Sequence, residues 1–325
     1  MNRRAPALIV LGLLLASCSN GGPRSDASTP KSRDPSSRPS LATVGTVAGR
    51  TEVEGAADGL AFGHGSLWVG HYGGTTVERI DPATGKVVAR IEAESRPITV
   101  LATDDAVWAT NYSDASVSRI DPDTNRVVAT VDVGAGPQGV AEARGRIWTT
   151  NQIGGSLSVI DPSRNRVVKT VTFEGEPGFV GFGFGRVWVP DFGGNTVVAY
   201  DPTTYKTVAT VTVGNKPLGV AFGEESVWIS NYDDGTVSRI DPTTDTAVAT
   251  IELPGGNPQG IAVADGVVWA SSIRDRVVGR IDPGTNEVTG VIAVGGGPRS
   301  IVVTAGSLWV AEFDEGQVAR IPLAA

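Results

Sequence analysis

Hydrophobic and polar positions alternate along most of this chain in runs too short for a helix. One stretch shows the arrangement. Leu218-Gly-Val-Ala-Phe leads through a turn at Gly223-Glu-Glu into Ser226-Val-Trp-Ile-Ser. A loop, Asn231-Tyr-Asp-Asp-Gly, leads to Thr236-Val-Ser-Arg-Ile, a turn at Asp241-Pro-Thr-Thr-Asp, and then Ala247-Val-Ala-Thr-Ile-Glu-Leu. Four short segments rich in β-branched residues, separated by turn formers at even spacing, predict four successive antiparallel strands. No segment carries a 3.6-residue apolar period long enough for a helix.

The unit repeats. All seven tryptophans, Trp68, Trp108, Trp148, Trp188, Trp228, Trp269 and Trp309, fall 40 residues apart, with one step of 41. An Asp-Pro pair keeps the same beat at Asp81, Asp121, Asp161, Asp201, Asp241 and Asp282. Four antiparallel strands per unit, seven times over, predict an all-β, seven-bladed β-propeller across residues 41–325. The seventh unit holds only three strands, the last from Gln317 to Ile321. A spare strand from Val47 to Val53 precedes the first unit. The expectation is that this N-terminal strand completes the last blade and removes two open edges at once, although Gly49 and Arg50 are poor strand residues.

Residues 1–40 read differently. Arg3 and Arg4 precede an apolar run from Ala7 to Ala16, too short to span a bilayer and typical of a signal peptide. Leu15-Ala16-Ser17-Cys18 resembles the lipobox of bacterial lipoproteins, and Cys18 is the only cysteine in the chain. The expectation is a signal peptide over 1–17, a lipidated Cys18, and a disordered Ser/Pro/Gly-rich tether over 18–40. That would hold the domain on the extracytoplasmic face of the cell membrane by acyl chains, palmitate among them. Six of the 27 basic and two of the 35 acidic residues lie in this segment, so residues 41–325 carry 21 against 33, a net of −12. A domain that acidic repels phosphate backbones, so nucleic acid is not an expected partner.

Trp148-Thr-Thr-Asn151, Val127-Val-Ala-Thr-Val131 and Thr236-Val-Ser-Arg-Ile-Asp-Pro242 resemble the YVTN family of bacterial propellers. The same units are similar to the propeller of the virginiamycin B (streptogramin) lyases. The first resemblance implies an envelope propeller. The second implies a divalent-cation-dependent lyase or lactone hydrolase with a histidine in a Pro-x-Gly loop and nearby glutamates. No unit here has His between that Pro and Gly.

The repeated residues have structural readings. Each Trp sits mid-strand among apolar neighbours and fills the space between blades. Asp followed by Pro is what a tight turn wants, since the carboxylate caps backbone amides and the ring presets φ. Chemistry is sought where two sets of loops meet one face. The Pro-x-Gly loop carries Asp58, Ile98, Gln138, Gly178, Leu218, Gln259 and Arg299. Three positions after each Trp stand His71, Asn111, Asn151, Asp191, Asn231, Ser272 and Glu312, followed in five units by an aromatic, Tyr72, Tyr112, Phe192, Tyr232 or Phe313. A polar ring with an aromatic rim is a candidate cradle for a small polar ligand, with Asn111, Tyr112, Asn151, Asp191, Asn231, Tyr232 and Arg299 as contacts. The bland account is that each Asn bonds its own loop.

His71, Glu312 and Asp58 break the repeat and are the candidates for acid–base chemistry. Ring closure would gather them with Arg299 in one sector, where an ion pair between Arg299 and an acid is the alternative. No Cys/His cluster, phosphate loop or nucleophile elbow accompanies them. Asp233-Asp234-Gly235 and Asp104-Asp105 offer only weak sites for Ca²⁺, and Mg²⁺ enters through the lyase resemblance alone. The leading expectation is a monomeric, non-enzymatic module binding an envelope protein or small polar ligand at the channel mouth. The lyase and a purely structural envelope scaffold are the alternatives.

Overall fold

The computed structural model describes residues 41–304 and 306–323, so the expected signal peptide, Cys18 and tether lie outside the described residues. Within them the chain forms seven four-stranded antiparallel sheets, the blades of a β-propeller. Blade one holds the strands Ala56–Gly63, Ser66–Tyr72, Thr76–Asp81 and Lys86–Glu92, from the channel outward. The same order recurs through blade six, and one turn of 3-10 helix, Phe313–Glu315, interrupts the all-strand pattern.

Burial changes from channel to rim. Second and third strands are covered on both faces, because each face packs on a neighbouring blade; Val107–Asn111 is buried at every position. Fourth strands alternate between exposed and half-buried, as in Arg126–Asp132, because only one face has a neighbour. This gradient explains why near-continuous apolar runs and clean alternation occur in the same repeat.

The tryptophans hold blades together. All seven are at most 4% exposed and belong to apolar clusters joining adjacent blades; Trp309 packs with Leu60, Leu67 and Ile80 of blade one. The indole N–H of Trp68, Trp188 and Trp228 donates to a backbone carbonyl five residues back, at 3.1 Å in each case. An arginine on the third strand covers the ring and reaches onward. Arg79 lies 5.0 Å from the Trp68 ring centre and donates to Pro122 O (2.6 Å) and Asn125 Oδ1 (3.0 Å) in the Asp-Pro turn of blade two. Arg119 and Arg239 repeat the staple onto the turns at Asn165 and Asn286. The turn needs a left-handed residue there, φ 54° at Asn125, which Asn tolerates. The Asp-Pro aspartate caps its own turn, as Asp81 Oδ1 does for Ala83 N–H at 2.9 Å.

Ring closure follows the expected route. The strand Gly49–Glu52 pairs antiparallel with Gln317–Pro322, so the seventh sheet reads outward as Pro298–Thr304, Ser307–Glu312, Gln317–Pro322, Gly49–Glu52. The strand is shorter than the expected Val47 to Val53. Upstream, Val44 N–H donates to Val291 O and Val291 N–H to Ala42 O, a parallel bridge onto blade six's outer strand. Arg50, a poor strand residue by propensity, pairs with Glu312 through Nε–Oε2 (2.7 Å) and Nη2–Oε1 (3.2 Å). A specific ion pair overrides propensity at this edge.

Candidate functional site

The channel is lined by first strands. A cavity of about 130 Å³ runs between Asp58, Leu60, Thr99, Phe179, Val220, Ile261 and Ile301. Above it lies a mouth of similar volume, about 130 Å³, walled by Gln138, Gln152, Gln259, Tyr72 and Tyr112. Asp58 and Arg299 line both and stand where the two join. Arg299 Nη1 lies 3.0 Å from Asp58 Oδ2, linking blade seven to blade one. Burial pushes the Asp58 carboxyl up to about 6, against the charge and hydrogen bond of Arg299, which oppose the shift.

The rim pairs aromatic rings with cations. Arg299 stacks on Phe313 with its guanidinium carbon 3.4 Å from the ring centre and lies 5.8 Å from that of Tyr72. Arg96 lies 3.9 Å from the Tyr72 centre and 6.0 Å from that of Tyr112. Tyr112 donates its hydroxyl to Gln152 Oε1 at 3.2 Å. Across the face Lys216 covers Phe192, whose ring lies 6.5 Å from Tyr232.

The polar ring expected around the mouth is inside the blades instead. Asn111, Asn151 and Asn231 are fully buried and Asp191 is 6% exposed. Each Asn amide donates to two hydroxyls of its own third strand; Asn111 Nδ2 reaches Ser116 and Ser118 Oγ at 2.9 Å. Asp191 Oδ1 accepts the N–H groups of Glu176 (3.0 Å) and Gly193 (3.2 Å). The reason is the burial gradient: a second-strand side chain faces one neighbouring blade or the other, so the channel and its mouth are left to first strands, loop tips and Tyr72 at the very end of its strand. The incoming loop is moulded to the ring as well, since a Cβ on Gly134 would stand 2.6 Å from Asn151 Nδ2.

The repeat-breaking residues keep this interior placement. His71 replaces the Asn of blade one and Glu78 replaces the matching Ser; their Nε2 and Oε2 lie 3.4 Å apart, both side chains wholly buried. Burial alone would raise the Glu78 pKa. His71, the Glu54 N–H (3.1 Å) and Arg90 (2.7 Å) together lower it. Glu312 is fully buried against Arg50 and accepts the Gly295 N–H at 2.6 Å. Of the four residues expected in one sector, Asp58 and Arg299 meet each other, while His71 and Glu312 each hold a different partner.

Tyr232 stands across the face from the mouth, beside Phe192. Three mouth residues escaped sequence reasoning: Thr99, Phe179 and Gln152. Gln152 had a signal, for it is one of two breaks in the aromatic column. Asp233 is paired with Lys216 at 2.9 Å and Asp234 accepts the Asn215 N–H at 2.7 Å, so both have local partners. No cluster of three or more His, Cys, Asp or Glu able to hold a metal ion occurs among the described residues.

Comparison with known proteins supports the architecture. No protein-family model matches the chain, and no curated protein matches it. Among solved structures, the chain is similar to one titled streptogramin B lyase, with a TM-score of 0.75 at 15% identity, covering 85% of this chain and 97% of that one. It is also similar to hydrazine synthase of Kuenenia stuttgartiensis, with a TM-score of 0.74 at 16% identity, covering 85% and 98%. At such identity the likeness establishes the seven-bladed β-propeller fold.

Proposed function

We propose that this protein is a lipid-anchored, extracytoplasmic binding module that takes a small polar ligand at the mouth of its channel. The observation that carries the reading is the mouth itself, where tyrosines, glutamine amides and an ion pair converge on a concave pocket above an apolar shaft. Gln138 Oε1 is buried there with no partner among the described residues, an acceptor that a ligand donor would satisfy. The lipobox at Cys18 and the acidic domain support a membrane-tethered address without nucleic acid. The repeat pattern supports a place among YVTN-type envelope propellers.

Binding is preferred to lyase chemistry because His71 and Glu312 are buried and engaged with Glu78 and Arg50. The test is a thermal-shift screen of the full-length protein with small polar compounds. Stabilisation by mass action on the native state is expected for ligands of the mouth, and Tyr112→Ala should abolish it. Stabilisation unchanged in Tyr112→Ala would refute the location.

A further inference from the structure

In blade three the first strand runs from Gln138 at the mouth to Ala143, so the turn after it lies on the opposite face, as does the turn after Asp161. These two turns carry Arg144, Arg146, Arg164 and Arg166 against one carboxylate, Asp161. Arg144, Arg164 and Arg166 are exposed and Arg146 is half-buried. Arg166 is the cross-strand partner of Asp161; Arg146 lies 3.1 Å and Arg164 3.8 Å from Asp161 Oδ2. The other oxygen, Oδ1, accepts the Ser163 N–H and hydroxyl. Asp201 of blade four feels the charge of Arg144, yet it caps its own turn and Lys206 of that turn offsets it. Four arginines against Asp161 and Glu142, on the strand just before the first turn, leave an excess of two positive charges.

The repeat does not require this. The matching turns of blade two hold Asp104, Asp105, Asp121 and Asp123 with only Arg126, and those of blade five hold Glu224, Glu225, Asp241 and Asp245 with no base. Blade four keeps one base in excess, and its Arg186 is paired with Asp245. Arg144 stands where blade five has Glu224, and Arg164 where it has Thr244.

We infer that this corner of blade three docks a short acidic segment of a partner protein, its carboxylates seated on Arg144, Arg164 and Arg166. The surface is separate from the mouth and does not depend on it. A guanidinium presents a fork of N–H donors that matches a carboxylate. The neighbours limit the partner's extent. An anionic bilayer or a nucleic acid would also meet the acidic turns of blades two and five and be repelled, whereas a few residues can meet blade three alone.

The experiment is fluorescence anisotropy of labelled octapeptides of alternating Glu-Ser or Gln-Ser with the full-length protein, alongside its association with vesicles of phosphatidylglycerol or phosphatidylcholine. The Glu-Ser peptide should bind saturably, at least tenfold more tightly than Gln-Ser, and weaken as salt rises. Arg144→Glu should weaken it at least fivefold, and Arg164→Thr should weaken it as well. Lys86→Glu, the same change of charge in a turn of blade one, should leave it within twofold. Glu suits both backbones: Glu224 has φ 52° where Arg144 has 49°, and Glu287 holds the place of Lys86 in blade six. The inference is overturned if the Glu-Ser peptide does not bind, if Gln-Ser binds equally, or if the Arg144 and Lys86 reversals act alike. The comparison of peptides needs no variant, so it decides even where a substitution fails to fold. A preference for phosphatidylglycerol over phosphatidylcholine that Arg144→Glu removes would make the partner a membrane surface and overturn the acidic segment.

Discussion

Arg50 Nε lies 2.7 Å from Glu312 Oε2 across the seam where the first strand of the propeller meets the last blade. Glu312 occupies the buried position that Asn holds in blades two, three and five, so a polar anchor of the repeat has become the clasp of the ring. Two residues that sequence reasoning marked, one as a poor strand former and one as a candidate acid, explain each other.

Arg50→Ala should therefore destabilise the domain through Glu312, which would be left buried with the Gly295 N–H. Removing one partner of a buried pair costs about 3–5 kcal/mol, and the exposure of Arg50 lowers the expectation to about 2 kcal/mol. Urea denaturation measures it. Adding Glu312→Gln to Arg50→Ala should recover part of the loss, and full additivity of the two would argue against direct coupling.

Deleting residues 41–53 should cost far more than deleting 19–40. The first removes the Gly49–Glu52 strand and the Val44–Val291 bridge, exposing two edges of a cooperative ring. A melting temperature lowered only by the shorter deletion is expected. Equal melting temperatures would count against the clasp.

Stability should rise on mild acidification because of Asp58. Its folded pKa, about 6, lies above the ordinary 3.8, so the native state takes up a proton before the unfolded chain does. The cost of burying the charge, about 3 kcal/mol at neutral pH, fades as pH falls from about 7 to 4. Asp58→Asn should be more stable than wild type at pH 7.5 and should lose that slope. Below pH 4 the turn aspartates Asp81, Asp121, Asp161, Asp201 and Asp241 act in the opposite sense. Their pKa values are lowered chiefly by hydrogen bonds to their own turns, so their contribution is lost as they protonate. Denaturation midpoints between pH 3 and 8 should pass through a maximum on the acid side of neutrality.

Cys18→Ser should leave the protein off the membrane or as an uncleaved precursor. Fractionation of cells with an antibody to the propeller checks this. A mutant that stays membrane-bound and processed like wild type would contradict the lipid anchor.

Most of the fold was legible because a propeller writes each blade out again. Trp68 to Trp309 set the period, and the Asp-Pro turns set the phase. The site was legible only in part. Asp58 and Arg299 are first-strand residues, each near the start of its strand, and both line the channel. Asn111 and Asn231 misled because strand alternation shows which face a side chain takes, whereas in a propeller both faces of a second strand are covered. Arg96 precedes a repeated proline in a loop, and only the folded chain brings it onto Tyr72.

The most direct test of the mouth as the binding site is the thermal shift given by screened ligands in three proteins. These are the wild type, a Tyr112→Ala, Gln152→Ala variant of the mouth, and an Asn231→Ala variant of the buried ring. Asn231→Ala should lower the melting temperature, because it breaks the hydrogen bonds to Thr236 and Ser238, yet keep the ligand-induced increment. The mouth variant should melt near wild type and lose the increment. An increment that persists in the mouth variant and vanishes in Asn231→Ala would contradict the account.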